Sequence, residues 1–441
     1  MTIFLSLYFF NTKASQSENC SVGSPPFGSE LRVELHPTSN GRTIQRSDAT
    51  SFPKWTCILY LAGDNFLDWF TLQNLEELRQ AGSSPDVRVV VFADRTDNKG
   101  YLYEVRKDYL VELPLEAIEP SWKGKEPNTG DPDTLATFAS WAIENLPAQN
   151  YLLLLGGYGE GWMGLLHDFN DGQGKVDILT LDELEGALAQ TIKSIKKTNG
   201  KDIIDILGLD ACYMAMVEVL YQIGDYARYV ITSENEEALD GWPYDKVIRA
   251  FIEGPSLSPS YIASQVVDYY IDSAQWVPTK LSNVLTASVI HAEVFREITP
   301  LLDELSLLLK DTTPRHMKEM LEVDRLAKTF TVSAHIAGRY VPYSMHYDLG
   351  GFLLALRTRF RDEPSLDGKA KKVADALSQA IVKERHQELK DQVVSLGGLT
   401  IFGMGAELEG YKRLAFSQRS HWDDFVEMKM KSLEEALKGG R

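Results

Sequence analysis

The stretch Ile203–Tyr213, IIDILGLDACY, decides the fold. Its apolar run from Ile203 to Leu209 is too short and continuous for an independent helix, and it lacks the alternation of a half-exposed strand. It therefore predicts a strand buried on both faces, the kind found in mostly parallel sheets with helices over each side. The run ends in Asp210-Ala211-Cys212, and Met214, Val217 and Leu220 follow at helical spacing. A helix starting directly behind Cys212 would offer free amides and a positive field, which lower a thiol's pKa and make it nucleophilic. A small buried hydrophobe is the alternative reading of the same cysteine.

Working outward, Thr56–Ala62, Asp86–Asp94, Tyr151–Leu155 and Arg228–Thr232 are strands of the same kind. Between them Leu135, Phe138, Ala139, Ala142 and Ile143 recur at helical spacing, with Asp131 placed to cap and Pro132 suited to the first turn. Thr180 and Glu183 have capping-box spacing ahead of Leu184 and Leu188. Beyond Trp242 the pattern is mainly helical, through 258–273, 291–310, 315–327, 348–358 and 368–391. Strands are expected near Val284–Ser288 and Leu399–Phe402, and an amphipathic helix after Trp422. Residues 11–53 are rich in Ser, Thr, Asn, Gly and Pro and predict an irregular leader. The expected layout is a leader over 1–53, an α/β domain over 54–290, and a mainly helical C-terminal extension over 291–441 packed on it.

Bulk properties narrow the function. With 45 Lys plus Arg against 63 Asp plus Glu, the net charge is −18, which repels nucleic acid and anionic membranes and attracts basic peptides. No segment reaches the roughly 18 apolar residues of a membrane span, so a soluble protein is expected, cytoplasmic or exported. The apolar run Ile3–Phe10 reads either as a degenerate export signal or as a disordered tail. Three cysteines, Cys20, Cys57 and Cys212, form no disulfide framework and no zinc-ligand spacing. Cys57 lies inside a strand and Cys20 in the leader, so both are expected to be inert.

In open α/β sheets, sites collect where strand C-termini meet loops. Strand 151–155 runs into Gly156-Gly157-Tyr158-Gly159-Glu160-Gly161-Trp162, and strand 203–209 into Asp210-Ala211-Cys212. The glycines allow close backbone approach, so the amides of Gly159 and Cys212 could line an oxyanion hole; a plain tight turn is the other reading.

Several motifs in order carry a resemblance: WTCILYLAGDNFL (Trp55–Leu67), Asp133–Asn150, Tyr151–Trp162, LGLDACYMAM (Leu207–Met216), SENEEALDGWPYD (Ser233–Asp245), Asp348-Leu349-Gly350, Gly397–Phe402 and His421–Val426. Over roughly residues 52 to 432 the chain resembles the clostripain-like cysteine peptidases. The resemblance implies a caspase-like α/β fold, a His-Cys dyad and cleavage after basic residues. It places the nucleophile at Cys212, the histidine position at Tyr158, followed by the expected Gly159, and the acidic specificity residues at Asp210 and Asp240. On the residues alone, Asp210 reads equally as a helix cap and Asp240 as a turn residue before Gly241. The resemblance also implies processing after a basic residue in the loop Met163–Leu179, where Lys175 follows Gly172 and Gly174. No cofactor is expected from the residues themselves. The resemblance implies a calcium dependence, but no aspartate-rich loop of EF-hand spacing appears, so any site would be assembled from distant segments.

The departure at Tyr158 has chemical weight. A dyad needs a group of near-neutral pKa to take the thiol proton, whereas an unperturbed phenol titrates at about 10. Loss of such a base costs on the order of 10²–10⁴ in rate. His167 reads as a solvated loop residue, and His335 and His346 could reach the site only through tertiary folding. The expected function is recognition or cleavage of peptides at Arg or Lys, impaired by the missing histidine. The alternatives are an active endopeptidase using another base and a non-catalytic scaffold. The oligomeric state is not legible.

Overall fold

A computed structural model describes residues 33–35, 52–170, 174–273, 284–336, 339–388 and 396–439. Its strands are β1 (Val33–Leu35), β2 (Trp55–Gly63), β3 (Val87–Arg95), β4 (Lys99–Arg106), β5 (Tyr109–Leu113), β6 (Asn150–Gly156), β7 (Leu165–Asp168) and β8 (Asp177–Leu179) in the first half. β9 (Ile204–Asp210), β10 (Ala227–Thr232), β11 (Val284–His291), β12 (Thr329–Ile336), β13 (Arg339–Asp348), β14 (Ile381–Glu388) and β15 (Thr400–Gly405) follow.

Ten of these form one sheet in the order β1-β5-β4-β3-β2-β6-β9-β10-β11-β14. The inner five, β3, β2, β6, β9 and β10, run parallel, and the pairs outside them, β1–β5 excepted, are antiparallel. The inner five are the strands expected from the sequence, with ends shifted by a residue or two. β2 and β9 are buried at every position, as continuous apolar runs require when helices cover both faces.

The helices are α1 (Asp68–Ala81), α2 (Pro132–Asn145), α3 (Leu181–Asn199), α4 (Val217–Ile223), α5 (Tyr244–Glu253), α6 (Pro259–Ser273) and α7 (Ala292–Phe295). The later ones are α8 (Ile298–Thr312), α9 (Met317–Leu326), α10 (Leu349–Arg359), α11 (Pro364–Ala380), α12 (Leu408–Tyr411), α13 (Ala415–Arg419) and α14 (Trp422–Gly439). Asp131 caps α2 by accepting from the Asp133 amide, with Pro132 at its first position, and Thr180 and Glu183 close a full capping box on α3. α2 meets the sheet through Phe138, which packs on Tyr60 and Phe92. α5 lies against the other end of β2, where Phe251 meets Trp55 edge to face at 4.9 Å. Among the described residues no helix is long and apolar enough to cross a membrane.

Four expectations are corrected. The helix expected directly behind Cys212 begins only at Val217; Tyr213 takes a left-handed φ of 64°, and Met216 bridges Thr400. The helix expected over 368–391 ends at Ala380, and Ile381–Glu388 is an edge strand on β11. Its polar residues alternate across the strand, Lys383 and Arg385 reaching Asp268 of α6 from one face, and charge on an edge discourages further pairing. The hairpins β4–β5 and β12–β13 were not expected; the second joins β15 in a separate three-stranded sheet. Within the expected irregular leader, Val33–Leu35 pair with β5, and the rest of 11–53 lies almost wholly outside the described residues.

Glu218 of α4 shows how later segments are fastened to the sheet. Its Oε1 accepts from the Phe402 amide at 2.9 Å and the Tyr411 hydroxyl at 2.7 Å. Burial pushes its carboxyl from 4.5 up to about 7, against the opposing pull of those two donors. A raised carboxyl binds its proton more tightly in the folded state. Its stabilisation is complete below the unfolded value and is lost as pH climbs through about 7. Glu218→Gln should keep both hydrogen bonds and flatten this part of the stability–pH curve. Glu218→Ala should strand both donors and cost about 1–3 kcal/mol in urea unfolding at pH 6.

Candidate active site

Strand register assembles the site. Parallel pairing places Gly156 of β6 beside Asp210 of β9, and the Gly157 amide donates to the Asp210 carbonyl at 3.1 Å. Two residues further along each strand stand Tyr158 and Cys212, and both line one pocket with Asp210, Glu237, Gly241 and Tyr244. Gly159 packs on the cysteine's main chain. A Cβ there would lie 2.3 Å from the Cys212 carbonyl oxygen and 2.9 Å from its nitrogen, so only glycine fits.

Cys212 is half-buried, and its Sγ accepts from the Glu237 amide at 3.2 Å. Burial, then the Glu237 carboxyl, push the thiol well above its ordinary range; the Glu237 amide opposes this, and Glu236 and Asp210 add to the rise. The helix dipole expected from the sequence does not act here, because α4 starts five positions later. Tyr158 is pushed up to about 12 by burial first and by Cys212 second, so the phenol keeps its proton at neutral pH. Its ring stacks on Phe169 with centroids 6.2 Å apart and lies 5.8 Å from the His167 ring.

His167 is not the solvated loop residue that the sequence suggested. It sits buried on β7, its Nε2 is 4.0 Å from Glu160 Oε1, and burial lowers it to about 4, leaving it neutral. It does not line the pocket. His346 is wholly buried, bonded through Nε2 to Ser344 Oγ at 3.0 Å and edge-on to Tyr213. His335 lies among residues whose side chains are outside the description, and so does Cys20, while Cys57 is buried in β2. Among the described residues the pocket lining holds no histidine, lysine or arginine.

The acidic side of the pocket is built on Asp210. Its Oδ2 accepts from the Tyr244 hydroxyl at 2.6 Å and the Trp242 amide at 3.2 Å. The turn that delivers Trp242 needs Gly241, whose φ is 64° and whose Cβ would stand 2.9 Å from Asp210 Oδ2. Gly208, below Asp210 on β9, leaves room for the Trp242 indole. The Glu237 carboxyl bonds to Asp210 and accepts from Trp242 Nε1 at 3.3 Å; burial, then Asp210, hold it protonated well above the usual range. Glu77 of α1 accepts from the Tyr244 amide at 2.9 Å and is pushed up to about 7, mainly by burial.

Of the residues singled out in the sequence, Tyr158, Gly159, Cys212 and Asp210 come together. Asp240, half-buried ahead of Gly241, is not among the lining residues, and Lys175 is exposed just before β8. Glu237, Glu77 and Tyr244 were not foreseen. Glu237 and Tyr244 fall inside the motif Ser233–Asp245, whose density of acids and aromatics was a usable signal, whereas nothing near Glu77 marks it.

A cysteine at a strand end of a caspase-like α/β sheet, beside an acidic pocket, defines the cysteine-peptidase class of site. Residues 59–429 match the sequence profile of Peptidase C11, the Clostripain family, and the chain belongs to that family. It is 26% identical over 239 residues to clostripain of Hathewaya histolytica, a match spanning 47% of this chain and 44% of that relative. The chain thus spans less than half the length of that curated relative. Its fold is similar to an inactive zymogen C11 protease from Parabacteroides distasonis, with TM-score 0.61, 18% identity, and coverage of 84% of this chain and 98% of the other. It is similar at TM-score 0.60 and 18% identity to a secreted C11 cysteine protease from Bacteroides thetaiotaomicron solved with an irreversible peptide inhibitor, covering 84% and 100%.

The thiol's setting has a kinetic consequence. Iodoacetamide labelling of Cys212, followed by peptide mass spectrometry, should rise about tenfold per pH unit from pH 6 to beyond pH 9, because only thiolate reacts. A plateau reached by pH 7 would instead mark a pre-formed thiolate.

Proposed function

We propose that this chain is a clostripain-family protein that recognises a lysine or arginine side chain through Asp210 and Glu237 and hydrolyses peptide bonds poorly. The observation that carries this reading is one pocket holding the thiol, two carboxyl groups and two phenols, with no imidazole lining it among the described residues. Paired carboxyl groups suit a guanidinium or ammonium, whose charge would offset the burial and the Asp210 repulsion that now keep Glu237 protonated. Basic peptides or proteins are the ligand class that follows, and the net charge of −18 favours their approach.

The same pocket supports the reading of slow chemistry. Attack by Cys212 needs its proton removed and a proton returned to the leaving amine. Tyr158, with a pKa of about 12, donates a hydrogen bond but accepts no proton at pH 7. Gly159 packs directly on the Cys212 main chain, and that closeness supports reading their two amides as donors to a developing oxyanion.

Two measurements test the two halves of the proposal. Tyr158→His should raise turnover of an arginyl fluorogenic substrate by about 10²–10⁴, and Cys212→Ala should remove that gain. Cysteine-dependent turnover of comparable size in the unmodified protein would instead establish an active endopeptidase with another base. An arginine-containing peptide should bind the unmodified protein, and Asp210→Asn should weaken binding by at least about tenfold. Absence of binding would leave a scaffold. Lys175 is exposed, so incubation of the Tyr158→His variant, followed by intact-mass spectrometry, should show cleavage after it, while the unmodified chain stays whole.

A further inference from the structure

Exposed aromatic side chains gather at the mouth of this pocket. Phe66 is 78% exposed, Trp69 47%, Phe169 36%, and the neighbouring Leu239 55%. Of the four strongly exposed aromatics among the described residues, only Tyr261 stands elsewhere. Phe66 and Trp69 flank the lining residues Leu67 and Phe70 along the chain, and Leu239 itself lines the pocket. The patch continues inward through its rings. Phe66 meets Phe169 edge to face with centroids 5.3 Å apart, and Phe169 stacks at 6.2 Å on Tyr158, which lines the pocket.

Hydrogen bonds beneath the surface hold these rings in place. Buried Asn65 donates through Nδ2 to the Ala62 and His167 carbonyls at 2.9 and 2.8 Å, and its Oδ1 accepts from the Leu67 amide at 2.8 Å. The Phe169 amide donates to the Asp64 carbonyl at 2.9 Å. The turn carrying Phe66 and the segment carrying Phe169 are thus tied together through their backbones. A ring ordered in advance loses little freedom when a ligand covers it, and an apolar ring standing in water gains from being covered.

We propose that Phe66, Trp69 and Phe169 form a platform for an aromatic side chain of the bound peptide, two positions away from the lysine or arginine that enters the pocket. This inference rests on the reading of the pocket as a site for a basic residue, and it adds the second half of the ligand. An extended peptide advances about 3.3 Å per residue with its side chains alternating, so residues two apart project to the same side roughly 6.6 Å from each other. The step from the Tyr158 ring in the pocket wall to the Phe169 ring outside it, 6.2 Å, is of that size. Tyr158, at the position where the resemblance implies a histidine, carries the aromatic surface into the pocket.

The size of the patch and its continuity with the pocket favour a peptide side chain over larger partners. Partly covered as they are, the four side chains offer about 400 Å², given roughly 150–250 Å² for a whole aromatic side chain. Each side of a stable protein interface buries about 800 Å². A second copy of this chain would therefore find too little surface here, whereas one aromatic residue is matched. The net charge of −18 repels an anionic membrane, another partner that exposed aromatics can serve.

The test is calorimetric titration of the full-length protein with capped heptapeptides of glycine and serine around a central arginine, with phenylalanine either two positions before or two positions after it. At one of these positions phenylalanine should tighten binding about tenfold over the glycine–serine peptide. Phe66→Ser should reduce that preference to near unity and Phe66→Trp should keep it; Phe169→Ser serves as a second variant, and melting temperatures check that each folds. If the glycine–serine peptide binds and phenylalanine tightens it at neither position, or if the preference survives Phe66→Ser, the platform is overturned and the basic pocket stands. If no arginine peptide binds, with or without phenylalanine, the pocket reading falls and the platform falls with it. A dimer seen by light scattering that Phe66→Ser dissolves would assign the patch to a second copy and overturn the proposal.

Discussion

The site rests on one constraint, the parallel register between β6 and β9. Because Gly156 pairs with Asp210, the residues two steps beyond each strand meet at the sheet's C-terminal edge. A shift of either strand by one residue would turn every side chain to the opposite face and separate the pair. Burial of both faces fixes that register, since Leu152–Leu155 and Ile204–Leu209 leave no polar side chain but Asp205 that could turn outward. Asp205 is held in place, accepting from the Tyr151 amide at 3.1 Å and from Lys201 at 2.9 Å.

On that platform, burial outweighs every local effect on the titrating groups. It raises Cys212, Tyr158 and Glu237, and it lowers His167, and in each case it is the largest cause. The result is a pocket in its protonated state: a thiol, a phenol and a carboxylic acid, with Asp210 held by donors from Tyr244 and Trp242. Family membership gives the chain a cysteine peptidase's architecture, and Tyr158 lines the pocket with Cys212.

The parts of this arrangement differ in how far they could be read from sequence. The inner strands were legible because continuous apolar runs of five to seven residues have one stable use in an α/β protein. The caps at Asp131 and Thr180 were legible because they act within four residues. The edge strand Ile381–Glu388 was not, since Lys, Glu, Arg and Gln are good helix formers and only the open side of β11 makes them a strand. The Lys99–Leu113 hairpin carried a period-two pattern in Tyr101, Tyr103 and Val105 that could have been used. At the site, Cys212, Tyr158, Gly159 and Asp210 were legible from motif order. Glu237, inside the same Ser233–Asp245 motif as Asp240, is the carboxyl that lines the pocket beside Asp210. Phe66 and Phe169 lie far apart along the chain, and only the fold brings their rings together.

The central claim is that residue 158 is a protonated phenol standing beside the Cys212 sulfur. It is tested most directly by the ultraviolet difference titration of tyrosinate absorbance between the unmodified protein and Tyr158→Phe, repeated in a Cys212→Ser background. The account expects the phenol to ionise at about 12 and to shift downward when the thiol is removed, because Cys212 is one of the two causes of its rise. Ionisation near or below pH 8, or a titration indifferent to Cys212, would contradict it.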